Sequence, residues 1–229
     1  MSADERLVKA IRAGLAEVAD PAKAPAMQAY MKSAMPFRGV AKPERSTLLK
    51  RVLADHTLTD RVIFSATVLE LWRTAEFREE RYAAIDLSGY RAYRRWQDPD
   101  LLPVYEEMIV DGAWWDVVDE VAIRRIGPIL REDRARMTPT MLAWAHDADL
   151  WRRRTAIICQ VGAKEDTDTD LLTRAVEPSI AEPEFFLRKG IGWALRDYAK
   201  TAPDWVRCFV DDHPGLSGLS RREALKHLG

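Results

Sequence analysis

A tryptophan stands among cations on what the sequence predicts to be the polar face of a helix. Between residues 184 and 200, apolar residues recur at the spacing of a buried helical face, whereas Trp193 projects away from them, in a row with Lys189, Arg196 and Lys200. Such an indole can stack on a flat ring or on a cationic group beside a phosphate. The alternative is that another layer of the fold covers it, and the projection leaves both interpretations open.

A second tryptophan is followed four residues later by a carboxylate. In the helix that begins near Trp114, the valines at positions 117, 118 and 121 point toward the core, and Trp115 and Asp119 are neighbours on the adjoining face. An aromatic face beside a negative charge suits a cationic group. The alternative is an aspartate that interacts with the helix dipole, beside a tryptophan that lies at the surface.

An arginine falls within the apolar stripe of a third helix. Leu150, Ile157 and Ile158 define that stripe, and Arg154 lies inside it. Burying an unpaired charge is strongly unfavourable, so Arg154 needs an anionic partner. Two partners remain open at this point: an internal carboxylate, for which Asp119 is a candidate, or a phosphate from outside the protein.

All of these residues stand on segments that the sequence predicts to be helical. Proline, glycine and aspartate interrupt the helical pattern at short intervals, and no alternating run bounded by hairpin turns predicts a strand. Short helices in antiparallel pairs indicate an all-α protein, a curved α-solenoid of about six helix pairs with a concave binding face. We expect residues 1–229 to form a single domain.

The composition is that of an ordinary globular protein, with 47% hydrophobic and 31% charged residues. No run of about eighteen apolar residues predicts a membrane span. The first thirty residues are rich in charge and lack the apolar core of a signal peptide, which predicts a cytoplasmic location.

Motifs for metals and nucleotide cofactors are missing from the sequence. There is no Cys-x-x-Cys, no His-x-Glu-x-x-His and no glycine-rich phosphate loop, and the four histidines are scattered. Cys159 and Cys208 are expected to be reduced thiols. We therefore expect neither a metal nor a cofactor.

The charge balance does not by itself indicate nucleic-acid binding, because the net charge is −1. Binding depends on the local field rather than on the total, however, and cations cluster near the end of the sequence. These cations are Arg188, Lys189, Arg196, Lys200, Arg221, Arg222 and Lys226. We expect a positive strip on one surface and acidic loops elsewhere.

Taken in order, the three helical segments resemble the AlkD-type DNA alkylation repair family, alkylpurine DNA glycosylases built from HEAT-like helical repeats. The matching stretches are 114–119 (WWDVVD), 150–157 (LWRRRTAI) and 191–201 (IGWALRDYAKT). Further matches are 29–32 (AYMK), 37–40 (FRGV) and 219–227 (LSRREALKH). Each stretch alone is weak, but the ordered set is specific and covers essentially the whole chain.

The resemblance implies a site on the concave face. It assigns the catalytic site to Asp119, Trp115 and Trp193, with Asp119 as the catalytic carboxylate. The two tryptophans and Tyr30 line the cleft, and Tyr30 and Arg154 contact DNA, Arg154 through a phosphate. We further expect cations of the positive strip to touch DNA, namely Lys189, Arg196, Lys200, Arg221 and Arg222.

The implied partner is double-stranded DNA that contains alkylated purines. The implied activity is base excision of cationic lesions such as 3-methyladenine and 7-methylguanine, with bulky N3 or N7 adducts as a further class, without a tight base-flipping pocket. The protein would act as a monomer that associates with the nucleoid when bound to DNA. Two alternatives stay open: a non-catalytic relative that binds branched or distorted DNA, and a HEAT-like protein–protein scaffold.

Overall fold

The computed structural model describes residues 2–228, and these residues form helices and connecting loops without a strand. Fourteen α-helices occur in the described part of the chain, together with short 3₁₀ and π segments. The prediction of an all-α protein is confirmed. The chain divides after Gln97 into two compact units.

The first unit contains five α-helices. They are α1 (Glu5–Glu17), α2 (Ala24–Met31), α3 (Lys42–Asp55), α4 (Arg61–Arg73) and α5 (Arg78–Ser88). Its core is built from the apolar stripes of α1, α3, α4 and α5, with Ile11, Leu71 and Trp72 fully buried.

The second unit begins at Asp98 and contains nine α-helices. They are α6 (Leu102–Gly112), α7 (Trp115–Val121), α8 (Gly127–Glu132), α9 (Arg134–Ala145), α10 (Leu150–Ile158), α11 (Thr169–Val176), α12 (Phe185–Tyr198), α13 (Pro203–Asp212) and α14 (Gly218–Ala224). The buried faces of α10 to α14 meet in a core that includes Ile157, Ile191 and Leu195.

Carboxylates fix the starts of the two helices that carry most of the predicted site. Asp149 accepts hydrogen bonds from the amides of Trp151 and Arg152 and so caps α10, and Glu184 accepts one from the amide of Phe186 at the start of α12. The helix that the sequence predicts between residues 184 and 200 spans Phe185–Tyr198, so both ends lie within two residues of the predicted limits.

Two glycines of α12 allow neighbouring groups to approach its backbone. A Cβ atom on Gly192 would lie 2.5 Å from the Cβ of Glu223 on α14, and one on Gly190 would lie 3.1 Å from Nη1 of Arg154. Close packing thus accounts for both glycines inside a helix, where they are otherwise unfavourable.

None of the helices within residues 2–228 has the length and apolar character needed to cross a bilayer. The expectations of a single domain and of a concave binding face stay predictions.

Candidate functional site

Helix α7 places one tryptophan and one carboxylate beside each other, as their spacing predicts. The side chains of Val117, Val118 and Val121 are fully buried in the core. Trp115 and Asp119 lie on the adjoining face and line the same cavity.

Asp119 is held by the arginine of α10. Nε of Arg154 donates to Oδ1 of Asp119 at 2.8 Å, and Nη2 donates to Oδ2 at 2.8 Å. Nη1 of the same arginine donates to the carbonyl oxygen of Phe186 at 2.5 Å. Only 5% of the Arg154 side chain and 16% of the Asp119 side chain are exposed. The sequence left two kinds of anionic partner open for Arg154. The structure shows that the partner is the internal carboxylate of Asp119, bound in the bidentate geometry that a guanidinium favours.

Burial and charge act in opposite directions on Asp119. Removal from water raises the pKa of the carboxyl above its ordinary value, while the hydrogen bonds and charge of Arg154 lower it; burial has the larger effect. The result is a carboxylate with little water around it, which strengthens its interaction with any positive charge that develops nearby.

A cavity of about 380 Å³ opens beside this ion pair. Helix α12 supplies its far side with a row formed by Lys189, Trp193 and Arg196, which are spaced one turn apart. The complete lining is Trp115, Asp119, Arg154, Phe185, Phe186, Lys189, Trp193, Arg196 and Glu223. The structure thus brings together six of the residues that the sequence predicted.

A second cavity, of about 480 Å³, shares Trp115, Asp119 and Trp193 with the first. Its other lining residues are Asp116, Glu120, Ile123, Arg124, Val161, Gly162 and Asp197. The two indoles and the carboxylate of Asp119 therefore lie between a cavity with several cations and one with several acids. This arrangement can hold a group that carries an anion on one side and positive charge on the other.

An aromatic cluster supports the rim of the first cavity. Phe186 packs against Trp114 and Trp151, with ring centroids 5.4 and 5.0 Å apart. Its neighbour Phe185 is 57% exposed at the cavity. Sequence reasoning did not select either phenylalanine, although Phe186 stands three residues before Lys189 on the same face and could have been found by extending that row.

Three further residues predicted to touch DNA, Lys200, Arg221 and Arg222, are not among the lining residues of the two cavities. Lys200 pairs with Asp197 at 3.0 Å, Arg221 donates to the carbonyl oxygen of Val210, and Arg222 is exposed on α14. Tyr30 belongs to α2 of the first unit and is 72% exposed. The roles of these residues stay predictions.

Glu223 is the third residue of this cavity that sequence reasoning missed. Its two carboxylate oxygens accept hydrogen bonds from Lys189 and Arg196, so the cations of the first cavity already have an internal partner. Within residues 2–228, no group of three or more His, Cys, Asp and Glu side chains is arranged to hold a metal ion.

A family model and a solved structure both relate this chain to DNA alkylation repair enzymes. A family model described as "DNA alkylation repair enzyme" matches residues 11–228. A solved structure from Enterococcus faecalis, described as a predicted DNA alkylation repair enzyme, is 32% identical over 92% of this chain and 97% of that chain, with a TM-score of 0.82. No protein of curated function matches the sequence.

Two more distant structures share the fold. AlkD2 from Streptococcus mutans is 19% identical over 78% of this chain and 87% of that chain, with a TM-score of 0.59. The alkylpurine DNA glycosylase AlkC from Pseudomonas fluorescens, bound to DNA containing an abasic site analog, is 16% identical over 98% of this chain and 61% of that chain, with a TM-score of 0.56. At these identities the likeness is one of fold, the HEAT-like helical architecture predicted above.

Proposed function

The chain belongs to the family of DNA alkylation repair enzymes, and we propose that it is a DNA glycosylase that hydrolyses the N-glycosidic bond of cationic alkylated purines. The substrates would be 3-methyladenine, 7-methylguanine and bulky N3 or N7 adducts in double-stranded DNA. The observation that carries the proposal is the Asp119 carboxylate, held by Arg154 beside the indoles of Trp115 and Trp193.

The chemistry requires stabilisation of positive charge. Alkylation makes the base cationic, and when its bond to C1′ of the sugar breaks, the electron pair neutralises the base and leaves positive charge on the sugar. A fixed carboxylate beside that sugar lowers the barrier because its charge is already oriented. Water then bonds to C1′ and loses a proton to Asp119 or to solvent.

The two indoles supply the complementary part of the site. Trp115 and Trp193 would flank the damaged nucleotide, and each desolvated cation–π contact contributes about 1–2 kcal/mol. A preference for cationic lesions over neutral damaged bases follows, without a pocket that encloses the base.

Arg154 would act in two ways. Its bonds to both oxygens of Asp119 support a role in orienting the carboxylate. A guanidinium has five N–H groups, and the three bonds described above leave others for the proposed contact with a DNA phosphate.

Contact with DNA would extend beyond the cavity. Lys189 and Arg196 flank Trp193 and are proposed to bind phosphate, with Lys200, Arg221, Arg222 and Tyr30 as further contacts. The protein would work as a single-domain monomer in the cytoplasm, associated with the nucleoid when bound to DNA, and without a cofactor. Its affinity should fall steeply with salt concentration, as phosphate contacts require.

The test is base release from duplexes that carry 7-methylguanine or 3-methyladenine. We expect release by the wild type, a severe loss in Asp119→Asn, and near-normal release by Asp170→Asn, which removes the same charge from an exposed position on α11. Melting curves for each variant separate a loss of chemistry from a loss of folding.

The outcomes distinguish the alternatives. Wild-type protein that binds the damaged duplex but releases no base would be a non-catalytic member that recognises distorted DNA. Protein that neither binds DNA nor releases base would be a scaffold.

A further inference from the structure

One carboxylate neutralises both cations of the row on α12. Oε1 of Glu223 accepts from Nζ of Lys189 at 2.9 Å, and Oε2 accepts from Nη1 of Arg196. Only 18% of the Glu223 side chain is exposed, and all three residues line the first cavity with Trp193. The three charges therefore sum to +1 where the cations alone would give +2.

The backbone, rather than a flexible side chain, brings Glu223 to this position. Gly192 stands between the two cations along α12, and the Cβ of Glu223 lies where a side chain at 192 would be. Helix α14 is also tied to α12 by a hydrogen bond from Oγ of the buried Ser220 to the carbonyl oxygen of Arg188 at 3.0 Å. Glu223 is thus a fixed part of the cavity wall.

This carboxylate weakens a contact that undamaged and damaged DNA share. A phosphate that approaches Lys189 and Arg196 must share them with Glu223, which weakens the attraction that every duplex provides irrespective of damage. The features proposed to recognise the lesion, Trp115, Asp119 and Trp193, are separate from these two cations, so alkylated DNA has an additional attraction that undamaged DNA lacks.

We propose that Glu223 limits the affinity of the protein for undamaged DNA, because it neutralises half of the positive charge beside Trp193 and weakens the phosphate contacts on which binding of an undamaged duplex depends. The inference rests on the proposed function. It also accords with the near-neutral net charge of −1, because a protein with little damage-independent attraction to DNA is held less on undamaged duplexes.

The decisive variant is Glu223→Gln, which keeps the volume of the side chain and can still accept a hydrogen bond from one cation. Binding to an undamaged duplex is measured by fluorescence anisotropy across a series of NaCl concentrations. We expect about three- to tenfold tighter binding, with the slope of log K against log salt steeper by about 0.9, the value for one more released counterion.

A second readout measures how strongly undamaged DNA retains the protein during base release. A 7-methylguanine duplex at a concentration below its KM is titrated with undamaged competitor, and Glu223→Gln should require about three- to tenfold less competitor for half inhibition. The matched control is Asp204→Asn, which removes the same charge from an exposed ion pair on α13. This control should change either value by less than about twofold.

A charge-balanced double variant tests whether the added positive charge causes the tighter binding expected of Glu223→Gln. Lys189→Gln with Glu223→Gln leaves Arg196 alone and restores the net charge of +1, so its affinity for undamaged DNA should return to within about twofold of wild type.

Unchanged or weaker binding of undamaged DNA by Glu223→Gln would overturn the inference, and so would a gain that the double variant retains. Neither result would affect the glycosylase proposal, which fails separately if the wild type releases no base.

Discussion

Arg154 donates to both oxygens of Asp119, from Nε to Oδ1 and from Nη2 to Oδ2, at 2.8 Å each. Its third hydrogen bond reaches the carbonyl oxygen of Phe186 at the start of α12. One buried guanidinium therefore connects α7, α10 and α12, the three helices that carry the candidate site. The position of the carboxylate relative to Trp115 and Trp193 depends on this residue.

Removing that guanidinium should destabilise the protein. We expect Arg154→Gln to lower the free energy of unfolding by about 3–5 kcal/mol, because it leaves a buried carboxylate without its charged partner. Arg152→Gln, on the same helix, breaks more exposed ion pairs with Glu106 and Asp147 and should lower it by about 1 kcal/mol or less. Urea unfolding of both variants measures the difference, and equal losses would contradict the role of the buried pair.

The rate of base release should depend on the protonation of Asp119. Burial raises the pKa of this carboxyl above its ordinary value of 3.8. As the pH is lowered, the rate of base release should therefore begin to fall at a higher pH than it would with an exposed aspartate. Because the charge of Arg154 lowers that pKa, Arg154→Gln should raise the midpoint pH of this loss of rate further. Single-turnover rates across pH give both midpoints. A midpoint that does not move in Arg154→Gln would show that another group controls the profile.

The same shift affects folding stability. A folded-state pKa above the unfolded value means that protonated Asp119 favours folding; this contribution is present below the unfolded pKa and is lost as pH rises through the folded pKa. Asp119→Asn should therefore remove this part of the pH dependence of the free energy of unfolding. Urea unfolding of wild type and variant at several pH values tests this, and identical pH dependence would contradict it.

Trp193 should contribute to catalysis through its π face. We expect Trp193→Leu to slow release of 7-methylguanine by about 5- to 30-fold, which corresponds to the loss of about 1–2 kcal/mol of cation–π stabilisation. Trp205→Leu is the matched control, since Trp205 lies on α13 and packs against Tyr198 and Phe209. Rates are compared well below the melting temperatures of both variants, and similar losses would argue against a specific role of Trp193.

Replacing Gly192 with alanine should lower the stability of the protein. A methyl group there would lie 2.5 Å from the Cβ of Glu223, and the resulting displacement of α14 should lower the free energy of unfolding by about 1–3 kcal/mol, partly offset by the better helix propensity of alanine. Gly190→Ala would place its methyl group 3.1 Å from Nη1 of Arg154, a milder contact, and should lower stability less than Gly192→Ala even though three hydrogen bonds hold that guanidinium. Thermal melting of the two variants provides the comparison, and a Gly192→Ala protein as stable as wild type would be inconsistent with the packing of α12 on α14.

The two cysteines should differ in reactivity. Burial raises the pKa of Cys159 to about 12, so almost no thiolate exists at pH 8, whereas Cys208 is exposed. We expect one thiol to react with a chromogenic disulfide reagent in the native protein, and none in Cys208→Ser until the protein is unfolded. Two reactive thiols in the native wild type would contradict the burial of Cys159.

Local periodicity was sufficient to predict several features of this protein. The all-helical class, the adjacency of Trp115 and Asp119, and the row of Lys189, Trp193 and Arg196 all follow from the geometry of a single helix. The pairing of Lys200 with Asp197, three residues apart, could have been found in the same way.

Tertiary structure alone decided the partners of the charged groups. Arg154 and Asp119 are separated by 35 residues, and Lys189 and Glu223 by 34, so no helical period relates them. The sequence shows that a buried arginine needs an anion, because an unpaired charge is strongly unfavourable in the core, but it does not show which anion. That choice depends on how helices pack, and here packing placed a carboxylate where the sequence also allowed a phosphate.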